Sequence, residues 1–506
     1  MILIVGDVPE VTDPLATALS ARGLPSCVVT IGEVTSAVGP GRVEFACGSE
    51  ELPRVIAESQ GKRVGGVISL LGLMDQYREP VLPTERTVSR MTQALFQVLK
   101  AVHDDLCTAG KTGTPRVMNV TSIDGAFGLN SSAVDRPAIA AAGTVGLCKA
   151  YRAEVPGSVV TCLDVADDVP RNELMEFLVE HIDVDPGAVE IGLARGKQWR
   201  ILTREETAGA SASQPMVHPG DVWLVTGGAD GITATITRVL ARRGCRLVII
   251  GRTRLHEEIA ETIGQDEATL RKYFLDAAKR SGQPVVPATI ERKVQEVLKQ
   301  RRIVAHLNEF RALGGAVQYV SCDVRNSDEF GRVIDDTYER YGRIDGVIHG
   351  AGVIIDKLID KKTPEAFATV FETKVNSALT LARHLRPESV KFLGFFSSTS
   401  ARFGNRGQTD YSAANEFLNK LSDRLSRSWP GRVVAINWGP WDSGMVSPEL
   451  RRAYADLDIE LIPPQVGVDL FEAELLAGAG PSEVVITASI NRIEAVLADM
   501  TGKVQP

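Results

Sequence analysis

The chain has 506 residues, of which 24% are charged and 44% hydrophobic, and carries a formal charge of −8. That length exceeds one ordinary core and implies two or three domains; the acidic balance argues against a nucleic-acid protein, and no apolar run is long enough to span a membrane. The seven cysteines (27, 47, 107, 148, 162, 245, 322) form no C-x-x-C pair and the histidines show no metal spacing, so free thiols in a reducing cytoplasm are expected, with neither disulfides nor metal.

In chain order, Met1 to Gly6 reads as a strand entering a turn and lacks the pattern of a signal peptide. Further strand runs follow at Gly66–Leu71, Val117–Thr121 and Val159–Asp164. Residues 205–220, rich in Ala, Ser, Gly and Pro, read as a linker between two halves, 1–215 and 216–506. The second half alternates helical segments with short β-branched runs at Val222–Val225, Arg246–Ile250, Ala316–Ser321, Gly346–His349, Phe392–Ser397, Val433–Asn437 and, more weakly, Val484–Thr487. That alternation predicts an α/β fold with a doubly wound parallel sheet.

The first half repeats the plan in worn form. Val155-Pro156-Gly157-Ser158-Val159-Val160 echoes Trp429-Pro430-Gly431-Arg432-Val433-Val434, and Thr121-Ser122 ahead of Phe127-Gly128 echoes Ser397-Ser398 ahead of Phe403-Gly404. Its first turn keeps one glycine, Gly6, followed by Asp7 where a phosphate would approach, and no Tyr lies between Tyr77 and Tyr151. The expectation is a truncated, Rossmann-like half without cofactor; two unrelated domains are the alternative. Residues 255–300 are polar and exceed what one crossover needs, with helical spacing in Ala268–Lys279 and Ile290–Val304. They read as an inserted helical excursion into solvent, with a docking role as the rival.

The glycine turn Thr226-Gly227-Gly228-Ala229-Asp230-Gly231, between the strand Val222–Val225 and the apolar spacing that starts at Ile232, is the pattern that lets backbone N–H groups meet a pyrophosphate at a helix N-terminus. Taken alone it equally describes a plain strand-to-helix turn. Arg252, ending the second strand, stands where an acid would select NAD, and so points to the 2′-phosphate of NADPH. Asp323-Val324 follows the third strand, where an adenine would lie, and Gly350-Ala351-Gly352 follows the fourth, where small residues admit a cofactor.

Behind the turn come Lys374, Ser398, Tyr411 and Asn415 at spacings of 24, 13 and 4. Hydride delivery to a ketone leaves an alkoxide that needs a proton. Tyr411 is the candidate acid; its free pKa of ~10 calls for a neighbouring cation, which Lys374 supplies. Ser398 can hold the carbonyl oxygen and Asn415, one helical turn after Tyr411, a relay water or the lysine.

These residues resemble a family. Residues 221–490 are similar to the ketoreductase domain of type I polyketide and fatty-acid synthases, within the short-chain dehydrogenase/reductase superfamily. The likeness rests on Phe395 to Ser398, Gly404, Gly407-Gln408, Tyr411 to Asn415 and the three spacings, and it extends over the first half as the structural subdomain such reductases carry. Val225 to Ala229, His349 to Gly352 and Asn437 to Val446 look like the reductases of polyunsaturated fatty-acid synthases and related iterative bacterial synthases. The resemblance implies NADPH-dependent reduction of a β-ketoacyl chain on acyl carrier protein. It implies Tyr411 as proton donor, Ser398 as carbonyl binder, and Lys374 and Asn415 in the exchanged positions typical of synthase reductases. Neither membrane nor nucleic acid is an expected partner; other synthase domains are, if the chain is excised from a larger one.

Stereochemistry follows from departures and matches. Ile354-Ile355-Asp356 keeps only the last acid of the Leu-Asp-Asp motif of one class, and Phe403 stands where the opposite class has Trp. Both favour the 3R (D) alcohol, with a helix N-terminal acid as the rival account of Asp356. Trp438 and Met445 are expected at the substrate; the loop after Trp438, from Met445-Val446 to Ile462-Pro463, reads as a substrate lid, an exposed amphipathic helix being its rival. Arg402 and Arg406 are expected beside the cleft, facing an acidic carrier. The competing functions are a free-standing reductase of small ketones and a non-catalytic scaffold or epimerase module.

Overall fold

The computed structural model describes residues 1–39, 41–60, 62–74, 82–129, 138–205, 217–281, 285–442, 448–456 and 459–488. Most of the expected linker (206–216) and Met445 of the expected lid lie outside them.

Two sheets form. The first contains β1 (Ile2–Val5), β2 (Ser26–Gly32), β3 (Ser36–Gly39), β4 (Arg42–Ala46), β5 (Gly66–Gly72), β6 (Arg116–Thr121), β7 (Val159–Val165), β8 (Glu190–Ala194) and β9 (Lys197–Arg200). The second contains β10 (Val222–Thr226), β11 (Arg246–Gly251), β12 (Ala316–Ser321), β13 (Gly346–His349), β14 (Phe392–Ser398), β15 (Arg432–Trp438) and β16 (Glu483–Ile486). The second sheet is wholly parallel, in the order β12-β11-β10-β13-β14-β15-β16. This is the Rossmann-like arrangement, with its order reversing between β10 and β13; ligands bind outside the carboxyl ends of the strands at such a point.

The first sheet runs β3-β4-β2-β1-β5-β6-β7-β8-β9. Without β3 and β9, which pair antiparallel at its two edges, it has the same parallel order about β1 and β5. The connection from β2 to β4 holds only β3 and no helix. This half is therefore a truncated copy, in topology as well as in local sequence.

The copies meet through helices. Gly146, on the helix Ala142–Arg152, lies so close to the helix Thr409–Ser426 that a Cβ there would fall 2.2 Å from the Ser412 carbonyl oxygen. Beside this pair, Phe96 of the helix Glu85–Ala101 stacks on Phe367 of the helix Pro364–His384 at 4.3 Å. Lys374 and Tyr411 sit on the two second-half helices of this interface, so the first half braces the elements that carry them.

The inserted segment is more ordered than a solvated excursion. The helices Glu267–Arg280 and Pro287–Ala312 pack Leu270, Phe274, Ile290 and Val294 into a small core of their own. The second runs 26 residues because no glycine interrupts it before Gly314, which merges the insertion with the crossover helix that leads into β12. Its last turns bury Ile303, Leu307 and Phe310 in the core that also holds Val239 and Leu240 of the helix Gly231–Arg242.

Candidate functional site

The glycine turn lies at the carboxyl end of β10 and faces the turn after β13. A Cβ on Gly227 (φ +73°) would lie 2.9 Å from the Gly350 carbonyl oxygen, and one on Gly350 would lie 2.3 Å from Thr233 Oγ1. Bare backbone from two strand ends thus forms one cradle. Its chemistry and its place at the start of the helix Gly231–Arg242 fit the pyrophosphate of a nicotinamide dinucleotide. Gly352 continues this wall, with a virtual Cβ 3.1 Å from Lys374 Cε.

Two expected cofactor residues also make contacts within the fold. Thr226 is fully buried; its hydroxyl accepts the Ala351 N–H at 3.1 Å and lies 3.2 Å from His349 Nδ1, so it sets the position of Ala351. Asp230 caps the helix, accepting the Gly231 N–H at 3.0 Å, a donor that an incoming phosphate would otherwise meet. Asp323 is held below the usual carboxylate range by hydrogen bonds from Arg325, with Arg252 adding to the effect. Arg252 is exposed, Ile232 half-buried and Val324 buried.

Lys374 is positioned by a helix with a well-formed start: Thr363 caps it, accepting from the Ala366 N–H, Pro364 opens it and Glu365 sits in its first turn. Its Nζ donates to the Phe396 carbonyl oxygen at 2.6 Å and lies 5.6 Å from the centre of the Tyr411 ring. Burial lowers Lys374 to about 7 and pushes the half-buried Tyr411 phenol up to about 12, with the Asn415 side chain opposing the rise and Asp356 and Tyr454 adding to it. Asn415 donates to the Tyr411 carbonyl oxygen at 2.8 Å, while its own Oδ1 is buried without a hydrogen-bond partner. Ser398, at the end of β14, accepts from the Ser400 N–H at 3.2 Å and the Ser400 hydroxyl at 3.0 Å, which leaves its own O–H to donate to a carbonyl.

Four residues to which sequence reasoning gave no role of their own support this group. His349 is fully buried, and burial holds it at about 3, hence neutral. Its Nε2 lies 3.1 Å from the Lys374 carbonyl oxygen and its Nδ1 against Thr226, tying the glycine turn to the lysine helix. Lys362, also fully buried, pairs with Asp410 and donates to the carbonyls of Ile355 and Gly407. Asp410 in turn accepts the Tyr411 N–H at 2.8 Å. The signal for this pair in the sequence is an acid directly before the helix tyrosine. From the first half, Glu154 accepts the N–H groups of Ile359 and Gly407, fixing the loop that holds Asp356.

Asp356 accepts from Gln408 Nε2 at 3.0 Å and stands in irregular chain, well before the next helix at Pro364, so it is no helix N-terminal acid. Its charge is felt by Tyr411 and by Tyr454 of the helix Pro448–Asp456, which brings that helix to the site. Phe403 is half-buried. Trp438, expected at the substrate ahead of the lid, is buried in the core, edge-on to Phe396 at 5.8 Å and to Trp441 at 5.0 Å; an indole between two aromatic rings gains more from that packing than from exposure. Arg402, expected to face a carrier, is buried and paired with Glu190 and Glu483; Arg406 is exposed.

The match to the model for the KR domain begins with the strand ahead of the glycine turn and ends beyond β15. Residues 221–443 match the family model of the KR domain. The chain is 31% identical over 445 residues to a polyunsaturated fatty acid synthase from Thraustochytrium sp. (strain ATCC 26185 / S-3), covering 85% of this chain and 15% of that one. It is also 31% identical over 212 residues to the polyketide synthase PksN of Bacillus subtilis (strain 168), covering 41% of this chain and 4% of that one. The chain therefore spans 15% or less of these relatives. The first of these alignments is too long for the KR domain alone and reaches well into the first half. Among solved structures, an N-terminal ketoreductase from the macrolactin assembly line matches with TM-score 0.70 and 20% identity, over 98% of this chain and 88% of that one. The first ketoreductase of the tylosin PKS matches with TM-score 0.67 and 22% identity, over 99% and 93%. At that identity the structural likeness is one of fold, and it takes in both halves together.

Proposed function

We propose that the chain is an NADPH-dependent reductase of β-ketoacyl thioesters presented on acyl carrier protein, working within a polyketide or fatty-acid synthase in the cytoplasm. The observation that carries the reading is the placing of Lys374 Nζ 5.6 Å from the Tyr411 ring, beside a bare-backbone cradle. The dinucleotide, when bound, supplies the hydride. Gly227, Gly228, Gly231 and the Gly350-Ala351-Gly352 turn hold its phosphate and nicotinamide ends, and Arg252 its 2′-phosphate. Ser398 donates to the ketone oxygen, Tyr411 gives that oxygen its proton, and Lys374 and Asn415 orient and polarise the phenol. The test is consumption of NADPH with a β-ketoacyl N-acetylcysteamine thioester and with the same acyl group on carrier protein. A chain that binds NADPH yet reduces neither sinks the proposal.

The pH dependence follows from Lys374. A lysine at about 7 is cationic below that pH and neutral above it, whereas Tyr411, near 12, stays protonated throughout. The value of kcat/KM for NADPH reports groups of the free enzyme and is expected to fall as pH rises through about 7. A profile flat from roughly pH 6 to 9 would remove the lysine charge from the mechanism.

Asp356 and Phe403 carry the 3R assignment. Asp356 is anchored to Gln408, three residues before Tyr411, so it orients whatever enters over the phenol. In the Asp356→Ala variant the 3R:3S product ratio is expected to drop about tenfold, the size of one charge-assisted hydrogen bond. Chiral analysis of the hydroxyacyl product decides; an unchanged ratio clears Asp356 of the role.

A further inference from the structure

The glycine turn contains an anomaly that its neighbours resolve. Asp230 puts a carboxylate at the positive end of the helix Gly231–Arg242, on the donor where a dinucleotide phosphate would bind, and two like charges there oppose each other. The merged helix Pro287–Ala312 answers this charge from the turns that follow the insertion. Arg302 lies 3.7 Å from Asp230 with its side chain 52% exposed, and His306, one helical turn on, holds the Ala229 carbonyl oxygen at 2.8 Å through Nδ1. The contact is rigidly supported. Arg238 on the turn's own helix pairs with Glu309 at 2.7 Å, and Arg301 binds Glu258 and the Gln265 carbonyl oxygen, locking the rest of the insertion to the same helix. Another face of the same helix walls a cavity of about 520 Å³ against the ends of β11 and β12, lined by Arg254, Leu255, Val304, Leu307, Arg311 and Tyr319.

We propose that this merged helix is part of the dinucleotide site and that Arg302 is a phosphate-binding residue. It neutralises Asp230 when the site is empty and holds a cofactor phosphate once that carboxylate gives way. His306 is a positioning residue that keeps the helix on the turn. The proposal rests on the nicotinamide-dinucleotide reading above and deepens it: the long helix that merges insertion and crossover completes the electrostatics of a turn whose own acid would weaken phosphate binding.

The test is fluorescence titration of the full chain with NADPH and with NADH, which reads binding rather than turnover. Arg302→Ala is expected to weaken NADPH binding about tenfold or more, the loss of one charge-assisted contact. Adding Asp230→Asn to that variant is expected to recover only the part of the loss that comes from the unneutralised carboxylate, the remainder being the phosphate contact itself. Equal weakening for both dinucleotides assigns Arg302 to the pyrophosphate; weakening for NADPH alone assigns it to the 2′-phosphate. Unchanged NADPH affinity in Arg302→Ala overturns the proposal, and so does full recovery by Asp230→Asn, because that leaves Arg302 only the task of neutralising Asp230. Failure of the unsubstituted chain to bind either dinucleotide overturns the cofactor reading itself.

Discussion

Tyr411→Phe is expected to lower the rate of β-ketoacyl reduction about a thousandfold while leaving NADPH affinity unchanged, as positioned proton transfer contributes roughly 10²–10⁴. The substitution removes one oxygen and keeps the ring that packs near Lys374 Nζ at 5.6 Å. The helix start is also kept, because Asp410 holds the Tyr411 backbone N–H and not its side chain. What is lost is the proton for the alkoxide. Burial holds the phenol near 12, so at neutral pH it is a full acid that needs a cation or a developing alkoxide to release its proton. Lys374, lowered to about 7, supplies that charge over only part of the pH range. The residual rate of the variant is therefore expected to lose its descending limb through pH 7. Titration of NADPH and single-turnover reduction separate the two effects: a variant that turns over within about threefold of the original would remove Tyr411 from the chemistry.

The second half was legible because its central strands, β10 and β13 to β15, are buried on both faces and read as continuous apolar runs. All seven expected strands are present, shifted at most by a residue or two. The first half hid five strands. β4 alternates buried and half-buried positions, β3 and β9 are exposed edges, and β8 carries Glu190 and Gly192 in only five residues. Glu190 belongs in a strand only because Lys149 and Arg402 meet it from other elements, which no local pattern reveals. The same limit governs the site. The four chemical residues were legible from spacing, whereas Lys362, Asp410 and Arg402 look like ordinary solvated charges until the fold buries them. Trp438 stands at a strand end before a Gly-Pro turn, and only the fold shows the packing of Phe396 and Trp441 around it.

Lys149→Met is expected to cost about 3–5 kcal/mol of stability, because breaking a buried ion pair leaves uncompensated charge. Lys149 is fully buried between the halves, 3.1 Å from both Glu190 and Glu416. Burial lowers the lysine to about 8, and Glu416 is held below the usual carboxylate range by Lys149, Lys420 and Arg402 despite its own burial. Around them Lys420 pairs with Glu483 at 3.1 Å, so the cluster is close to charge-balanced and loses that balance with one cation gone. Glu416 lies on the helix that carries Tyr411 and Asn415, which makes the cluster the link between first-half packing and site geometry. A double-mutant cycle with Glu416→Gln, read by denaturant unfolding, isolates the pair from the lost methylene packing. The double variant is expected to be less destabilised than the sum of the two singles. If Lys149→Met unfolds within about 0.5 kcal/mol of the original chain, the cluster is not what joins the halves, and the burden passes to the close helix contact at Gly146.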